Sequence, residues 1–180
     1  PFSRLAGLIT SAELGEISGL AASRVHEDVL WAINDGGNPA RLHAINRRGR
    51  VLARFEVRGA RNIDWEDLAS FTLQGKHYLL VADTGDNGGK RKDILLHVFE
   101  DPATLDPAVL RPAWTIRARW PAGPRDCEAV AVDAAAGLLR CAHLLAEERG
   151  VPIHFYQRDA ARTGSPERHF DLIISNILFH

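Results

Sequence analysis

The chain has 180 residues, 46% of them hydrophobic and 25% charged, and its 22 Lys and Arg against 23 Asp and Glu give a net charge of −1. This composition is typical of a globular domain and excludes a disordered or collagen-like chain. No basic surface is indicated, and no apolar run approaches the roughly 18 residues of a membrane helix, so neither nucleic acid nor a membrane is expected as a partner. The sequence has no methionine, even at position 1, so we expect a processed product or an internal fragment.

Residues 11–133 have the pattern of a β protein. Short apolar runs alternate with clusters of Gly, Asn, Asp and Pro, which are typical of strands joined by turns. The strands predicted in this way span residues 29–33, 50–57, 77–82, 94–99 and 114–120. No amphipathic helix is predicted in this part of the chain.

A repeat of about 50 residues runs through the same part. Residues 16–21 align with 64–69 at an offset of 48, residues 30–38 align with 79–87 at an offset of 49, and 126–131 give a third copy of the first block. An all-β repeat of this length is typical of a β-propeller blade. We therefore predict a mainly β fold, an incomplete β-propeller of two to three antiparallel blades, with Asp35 and Asp83 at equivalent loop positions. The remaining blades would be missing from this chain.

The pattern changes after residue 137. Residues 138–149 carry a helical apolar stripe, and residues 151–156 and 171–178 are predicted strands. A helix between strands indicates a short α/β tail. The expected organisation is a partial propeller over residues 1–137 followed by an α/β fragment over residues 138–180.

The acidic blocks carry a resemblance to a known family. Residues 64–69 (DWEDLA), 81–87 (VADTGDN) and 126–133 (DCEAVAVD) resemble six-bladed, TolB-like β-propeller proteins of the esterase-like, phytase-type group, and the resemblance covers residues 12–137. It implies a ligand-binding or hydrolase-like protein acting on an unknown small molecule in an extracytoplasmic location. Because the ring is incomplete, we expect the isolated chain to be inactive.

The tail carries a second resemblance. Residues 142–150, 153–160 and 170–178 resemble the middle of a class I methyltransferase that uses S-adenosylmethionine. This resemblance implies that Asp159 contacts the adenine and that Asn176 faces the methyl donor, and it makes a fragment of a cytoplasmic methyltransferase the alternative function. Only four residues separate the Gly-rich segment 83–89 from the next predicted strand, too few for the helix that a cofactor loop needs. We therefore predict that this chain does not bind S-adenosylmethionine.

Acidic residues recur at corresponding places in the repeat and would converge on one end of a propeller channel. Oxygen ligands gathered in this way suit Ca²⁺, which takes six to eight of them. The candidate ligands are Asp35, Glu66, Asp67, Asp83, Asp86 and Glu128. The alternative is that the loop residues among them build turns by accepting backbone hydrogen bonds.

Several polar groups lie within apolar blocks. A buried carboxylate must be paired or have a raised pKa, so Glu66 and Glu128 could act as a general acid or base, or could bond to neighbouring strands. Cys127 could pair with His143 as a nucleophile, although a buried thiol is the simpler interpretation. The sequence identifies no catalytic residue.

Overall fold

The computed structural model describes residues 5–120 and 123–132, together with the backbone of residues 172–175. The predicted helix at 138–149, the predicted strand at 151–156, and Asp159 and Asn176 lie outside the described residues. Within the described ranges the protein is mainly β, and no helix there has the length and apolar character needed to cross a membrane.

The strands follow one another with short connections. In chain order they are β1 (Ile17–Ala22), β2 (Val29–Asn34), β3 (Arg41–Asn46), β4 (Val51–Val57), β5 (Trp65–Leu73), β6 (Lys76–Asp83), β7 (Ile94–Glu100), β8 (Val109–Leu110), β9 (Trp114–Ala118), β10 (Ala129–Val132) and β11 (Leu172–Ser175). A short 3-10 turn, Ala12–Leu14, precedes β1. The strands predicted at residues 29–33, 50–57, 77–82, 94–99 and 114–120 are confirmed as β2, β4, β6, β7 and β9, whereas no strand was predicted at β3 or β8.

Two sheets contain nine of the eleven strands in the described residues. The first has the order β1-β2-β3-β4-β8, antiparallel except for the short parallel pair β4-β8. The second has the order β5-β6-β7-β9 and is antiparallel throughout. Each therefore contains a four-stranded meander, and the two sheets do not form a closed ring.

The two meanders match in register as well as in order. The β1-β2 ladder shifts between Ile17 and Gly19, and the β5-β6 ladder shifts in the same way between Trp65 and Asp67. Each shift is a β-bulge, which adds one residue to one strand of a pair. The two residues at these bulges are Ser18 and Glu66.

The same register corrects one expectation about the loops. Asn34 pairs with Ile17, and Asp83 pairs with Trp65. The counterpart of Asp83 is therefore Asn34 and not Asp35, in keeping with the 49-residue offset between residues 30–38 and 79–87. In a strand this single-residue difference changes the face on which a side chain lies.

The core lies between the two sheets and continues beyond the second sheet. Trp31 and Phe55 of the first sheet pack with Trp65 and Phe99 of the second, and all four are at most 1% exposed. A further apolar cluster on the other face of the second sheet includes Val130 of β10. Burial of large aromatic side chains is the main favourable contribution to a fold of this kind.

The first strands of the three sequence repeats are neighbours. Strand β5 contacts β1 on one side and β10 on the other. A Cβ at Gly19 would lie 2.5 Å from the Leu68 nitrogen, so the β1 and β5 backbones approach each other closely. Strand β10 pairs antiparallel with β11, which confirms a strand within the predicted span 171–178. This arrangement brings the start of each repeat to one region.

Candidate metal centre

Two Asp-x-Glu pairs mark the starts of β5 and β10. They are Asp64-Trp65-Glu66 and Asp126-Cys127-Glu128. The central residues, Trp65 and Cys127, are 0% and 2% exposed and belong to the apolar clusters. Because side chains alternate in an extended chain, the two carboxylates of each pair project away from the side on which the central residue is buried.

The carboxylates of these pairs lie close to that of Asp35, which directly follows β2. Carboxylate oxygens of Asp35, Asp64 and Glu66 lie within 4.8 Å of one another, and so do those of Glu66, Asp126 and Glu128. Glu66 belongs to both groups and is 6% exposed. We call these five residues the acidic cluster.

Two glycines make room for the acidic cluster. A Cβ at Gly85 would overlap Glu66 Oε1 and lie 2.5 Å from Asp64 Oδ2. A Cβ at Gly36 would overlap Asp64 Oδ1 and lie 2.9 Å from the Ile63 carbonyl oxygen. Any larger residue at either position would force the carboxylates to move, so the cluster depends on glycine in both loops.

Three carboxyl groups of the acidic cluster, those of Asp64, Glu66 and Glu128, have a raised pKa. Burial, with the nearby charges of Glu128 and Asp35, raises the pKa of Glu66 to about 8. Burial also raises the pKa of Glu128 and of Asp64. Glu66 and Glu128 share a side-chain hydrogen bond, which requires a proton on one of them. Near neutral pH the Glu66–Glu128 pair therefore retains one proton.

Four members of the acidic cluster have no basic partner among the described residues. Arg91, whose charge lowers the pKa of Asp64 against the effect of burial, forms its ion pair with Asp83 at 2.8 Å. Within residues 5–120 and 123–132, no Lys or Arg forms an ion pair with Asp35, Asp64, Glu66 or Glu128. Carboxylate oxygens are ligands that Ca²⁺ prefers, and the two groups joined by Glu66 suit either one cation or two cations bridged by it.

The other predicted ligands have different partners. Asp67 accepts hydrogen bonds from the backbone N–H groups of Leu68 and Val130, both at 2.7 Å, and so ties β5 to β10. Asp86 accepts bonds from backbone N–H groups four and five residues later, at 2.8 and 2.9 Å. Asp83 is fully buried. Of the six predicted ligands, the structure brings together Asp35, Glu66 and Glu128.

Sequence reasoning did not include Asp64 and Asp126 among the candidate ligands. The signal was available, because the first position of each repeat block is acidic: Glu16, Asp64 and Asp126. An acid two residues before Glu66 and Glu128 lies on the same face of an extended chain. The Asp-x-Glu spacing would therefore have found both residues.

Cys127 has the properties of a buried thiol. It is 2% exposed, and burial raises the pKa of its thiol to about 11. A thiol with that pKa is protonated at neutral pH and is a poor nucleophile. The backbone carbonyl oxygen of Cys127 accepts a hydrogen bond from Thr84 Oγ1 at 2.7 Å, which ties the loop after β6 to the third repeat. His143, its predicted partner, lies outside the described residues.

Comparison with known proteins gives no further guide to this site. No family model matches the chain, and neither curated proteins nor solved structures give a significant match.

Proposed function

We propose that the chain is part of a β-propeller protein of the ligand-binding or hydrolase-like class, and that its acidic cluster binds Ca²⁺ where the repeats meet. The observation that carries this proposal is the convergence of five carboxylates from three repeats, with Glu66 common to both groups. Two four-stranded meanders of the same register, whose first strands are neighbours, support their interpretation as blades.

The residues of the acidic cluster have distinct tasks in this proposal. Asp35, Asp64 and Asp126 supply oxygen ligands from the three repeats, and Glu66 with Glu128 supplies the buried carboxyl pair. Bound Ca²⁺ would supply a Lewis acid that polarises an oxygen of a small-molecule ligand, in keeping with a hydrolase-like activity. Gly85 leaves the space that the carboxylates occupy.

The remaining parts of the proposal rest on resemblance. Blades outside this chain would complete the ring, which is why the isolated chain is proposed to be inactive, and the location is proposed to be extracytoplasmic. The methyltransferase alternative, with its cofactor S-adenosylmethionine and its cytoplasmic location, stays a prediction because Asp159 and Asn176 lie outside the described residues.

Calcium titration of the EDTA-treated protein tests the proposal. A ligand that binds only the folded state raises the free energy of unfolding by about 2.7 kcal/mol when the ligand concentration is 100 times the Kd. We expect Ca²⁺ to raise the Tm and to give a saturable calorimetric signal, and we expect Glu66→Ala to lose both. Glu100→Ala is the matched control, because its carboxylate is exposed and pairs with Lys76.

Two results would contradict the proposal. One is a parent protein whose Tm does not change at millimolar Ca²⁺. The other is an equal loss of the Ca²⁺ response in Glu66→Ala and Glu100→Ala. Either result would leave the carboxylates with the structural role of joining turns and strands.

A further inference from the structure

The loop after β6 connects the two Asp-x-Glu pairs. The Gly85 N–H donates a hydrogen bond to the Asp64 carbonyl oxygen at 3.2 Å. The Asp86 N–H donates to Asp126 Oδ1 at 2.7 Å. The loop thus holds one member of each pair through its own backbone. Its conformation therefore sets how far apart the two pairs lie.

Arg91 fixes the conformation of this loop. Its Nη1 donates to the Gly85 carbonyl oxygen at 2.7 Å and lies 2.8 Å from Asp83 Oδ1, and its Nη2 donates to the Asp83 carbonyl oxygen at 3.1 Å. Asp83 Oδ1 also accepts a bond from the Asp64 N–H at 3.0 Å. The Arg91 side chain is only 16% exposed. One guanidinium therefore connects the loop to the start of β5.

Arg91 lies in a part of the loop that the first repeat lacks. Ala32 of the first repeat and Val81 of the second are equivalent residues, 49 positions apart. Their partners on the next strand, His43 for Ala32 and His97 for Val81, are 54 positions apart. The connection between the second and third strands is thus five residues longer in the second repeat. Since a meander forms without these residues in the first repeat, the sheet does not require the longer loop.

We propose that Arg91 is a positioning residue that holds the acidic cluster in its cation-binding arrangement, an inference that rests on the proposed Ca²⁺ site. A planar guanidinium can reach several acceptors at once, whereas the ammonium of lysine is a point charge on a flexible stem. The charge of Arg91 has the opposite effect, because a positive group near the cluster repels a cation. If Arg91 acts by positioning the carboxylates, its replacement should weaken Ca²⁺ binding. If it acts only through its positive charge, replacement by a neutral residue should strengthen Ca²⁺ binding.

Two substitutions separate these effects in the full chain. Arg91→Lys keeps the positive charge and loses the planar guanidinium, and Arg91→Gln loses both. Arg41→Lys is the matched control, because Arg41 forms a 2.8 Å ion pair with Glu56 in the first sheet. Ca²⁺ titration by calorimetry should give a Kd at least about tenfold weaker for both Arg91 variants, as is typical when a residue that orients ligands is lost. The control should bind as the parent does.

Melting in EDTA supplies the readout that separates positioning from general stability. Arg91→Lys should melt within a few degrees of the control, and Arg91→Gln should melt lower because it leaves the buried Asp83 carboxylate without its ion pair. The rise in Tm that Ca²⁺ causes should shrink in both Arg91 variants and not in the control. Unchanged affinity in Arg91→Lys, tighter binding in Arg91→Gln, or an Arg91→Lys protein that is unfolded in EDTA would overturn the inference. A parent that binds no Ca²⁺ overturns the proposed function itself, whereas a binding parent with unaffected variants overturns this inference alone.

Discussion

The first and second repeats have the same strand order and register but different polar residues at equivalent positions. At the bulge of the first strand, the first repeat has Ser18 where the second has Glu66. At the end of the second strand, the first has Asn34 where the second has Asp83. Neutral polar residues in one repeat are therefore replaced by acids in the other. The strand order and register are unaffected by these replacements.

The neutral residues of the first repeat bond to the backbone. Ser18 Oγ donates to the Trp65 carbonyl oxygen at 2.7 Å, and Asn34 Nδ2 donates to the Glu13 carbonyl oxygen at 2.7 Å. Glu66 instead faces other carboxylates, at a free-energy cost that burial increases. The differences between the repeats, more than their common pattern, thus produce the acidic cluster to which we assign the proposed function.

The largest expected effect tests whether the two repeats fold as one unit. Phe55 is 1% exposed and packs against Trp31, with ring centroids 5.4 Å apart, in the core between the sheets. Phe55→Ala should lower the free energy of unfolding by about 3–5 kcal/mol in a urea titration. Since both sheets share this core, fluorescence and far-UV circular dichroism should report a single transition.

Leu52→Ala is the control for that experiment. Leu52 lies on the same strand but is 42% exposed, so its replacement should change the free energy of unfolding by no more than about 0.5 kcal/mol. Two separate unfolding transitions in Phe55→Ala would contradict a common core and would make the repeats independent units.

Gly85→Ala should disrupt the acidic cluster more than the fold. Its Cβ would overlap Glu66 Oε1, so we expect the Ca²⁺-dependent rise in Tm to be lost and stability to fall by about 1–3 kcal/mol, as for other overpacked sites. Gly88→Ala in the same loop is the control, because its Cβ would come no closer than 3.8 Å to the Lys90 side chain. Similar Ca²⁺ responses in the two variants would argue against the cluster as the binding site.

The pH dependence of stability should reveal the proton on Glu66. With a folded-state pKa of about 8 and an ordinary pKa of 4.5, the folded protein holds an extra proton between these values. In EDTA the free energy of unfolding should therefore fall as pH rises through this window, by up to about 1.4 kcal/mol per pH unit. Glu66→Gln, which is neutral at every pH, should have a shallower slope in denaturant titrations at several pH values. Equal slopes would mean that Glu66 titrates normally.

The smallest effect is expected at the equivalent position of the first repeat. Ser18→Ala loses the hydrogen bond to the Trp65 carbonyl oxygen and should lower the free energy of unfolding by about 1 kcal/mol. Its Ca²⁺ affinity should match that of the parent, since Ser18 carries no charge. A large loss of Ca²⁺ affinity in Ser18→Ala would show that the bulge geometry, and not the carboxylate, governs binding.

Strands with long apolar runs could be predicted, and β3 could not. Residues 78–82 form a continuous apolar run, and residues 94–99 are interrupted only by His97, so both segments identify strands by themselves. Strand β3 reads Arg-Leu-His-Ala-Ile-Asn, and its His43 is 1% exposed. Burial lowers the pKa of His43 and favours the neutral ring, which packs in the central strand β3 between β2 and β4. The polar ends of β3, Arg41 and Asn46, leave its apolar run too short to predict a strand.

The sequence by itself determined the β character of this chain, its repeat and the acidic content of the repeat. Apolar periodicity and turn residues are patterns of a few consecutive positions, so they can be recognised without the tertiary structure. Only the tertiary structure decided which acids meet. Asp64 and Asp126 join Glu66, whereas Asp67, one residue further along β5, ties that strand to β10. The reason is geometric: neighbouring residues of a strand face opposite sides, and the bulge at Glu66 shifts the register by one residue. The pairing of strands therefore determines which carboxylates form a site.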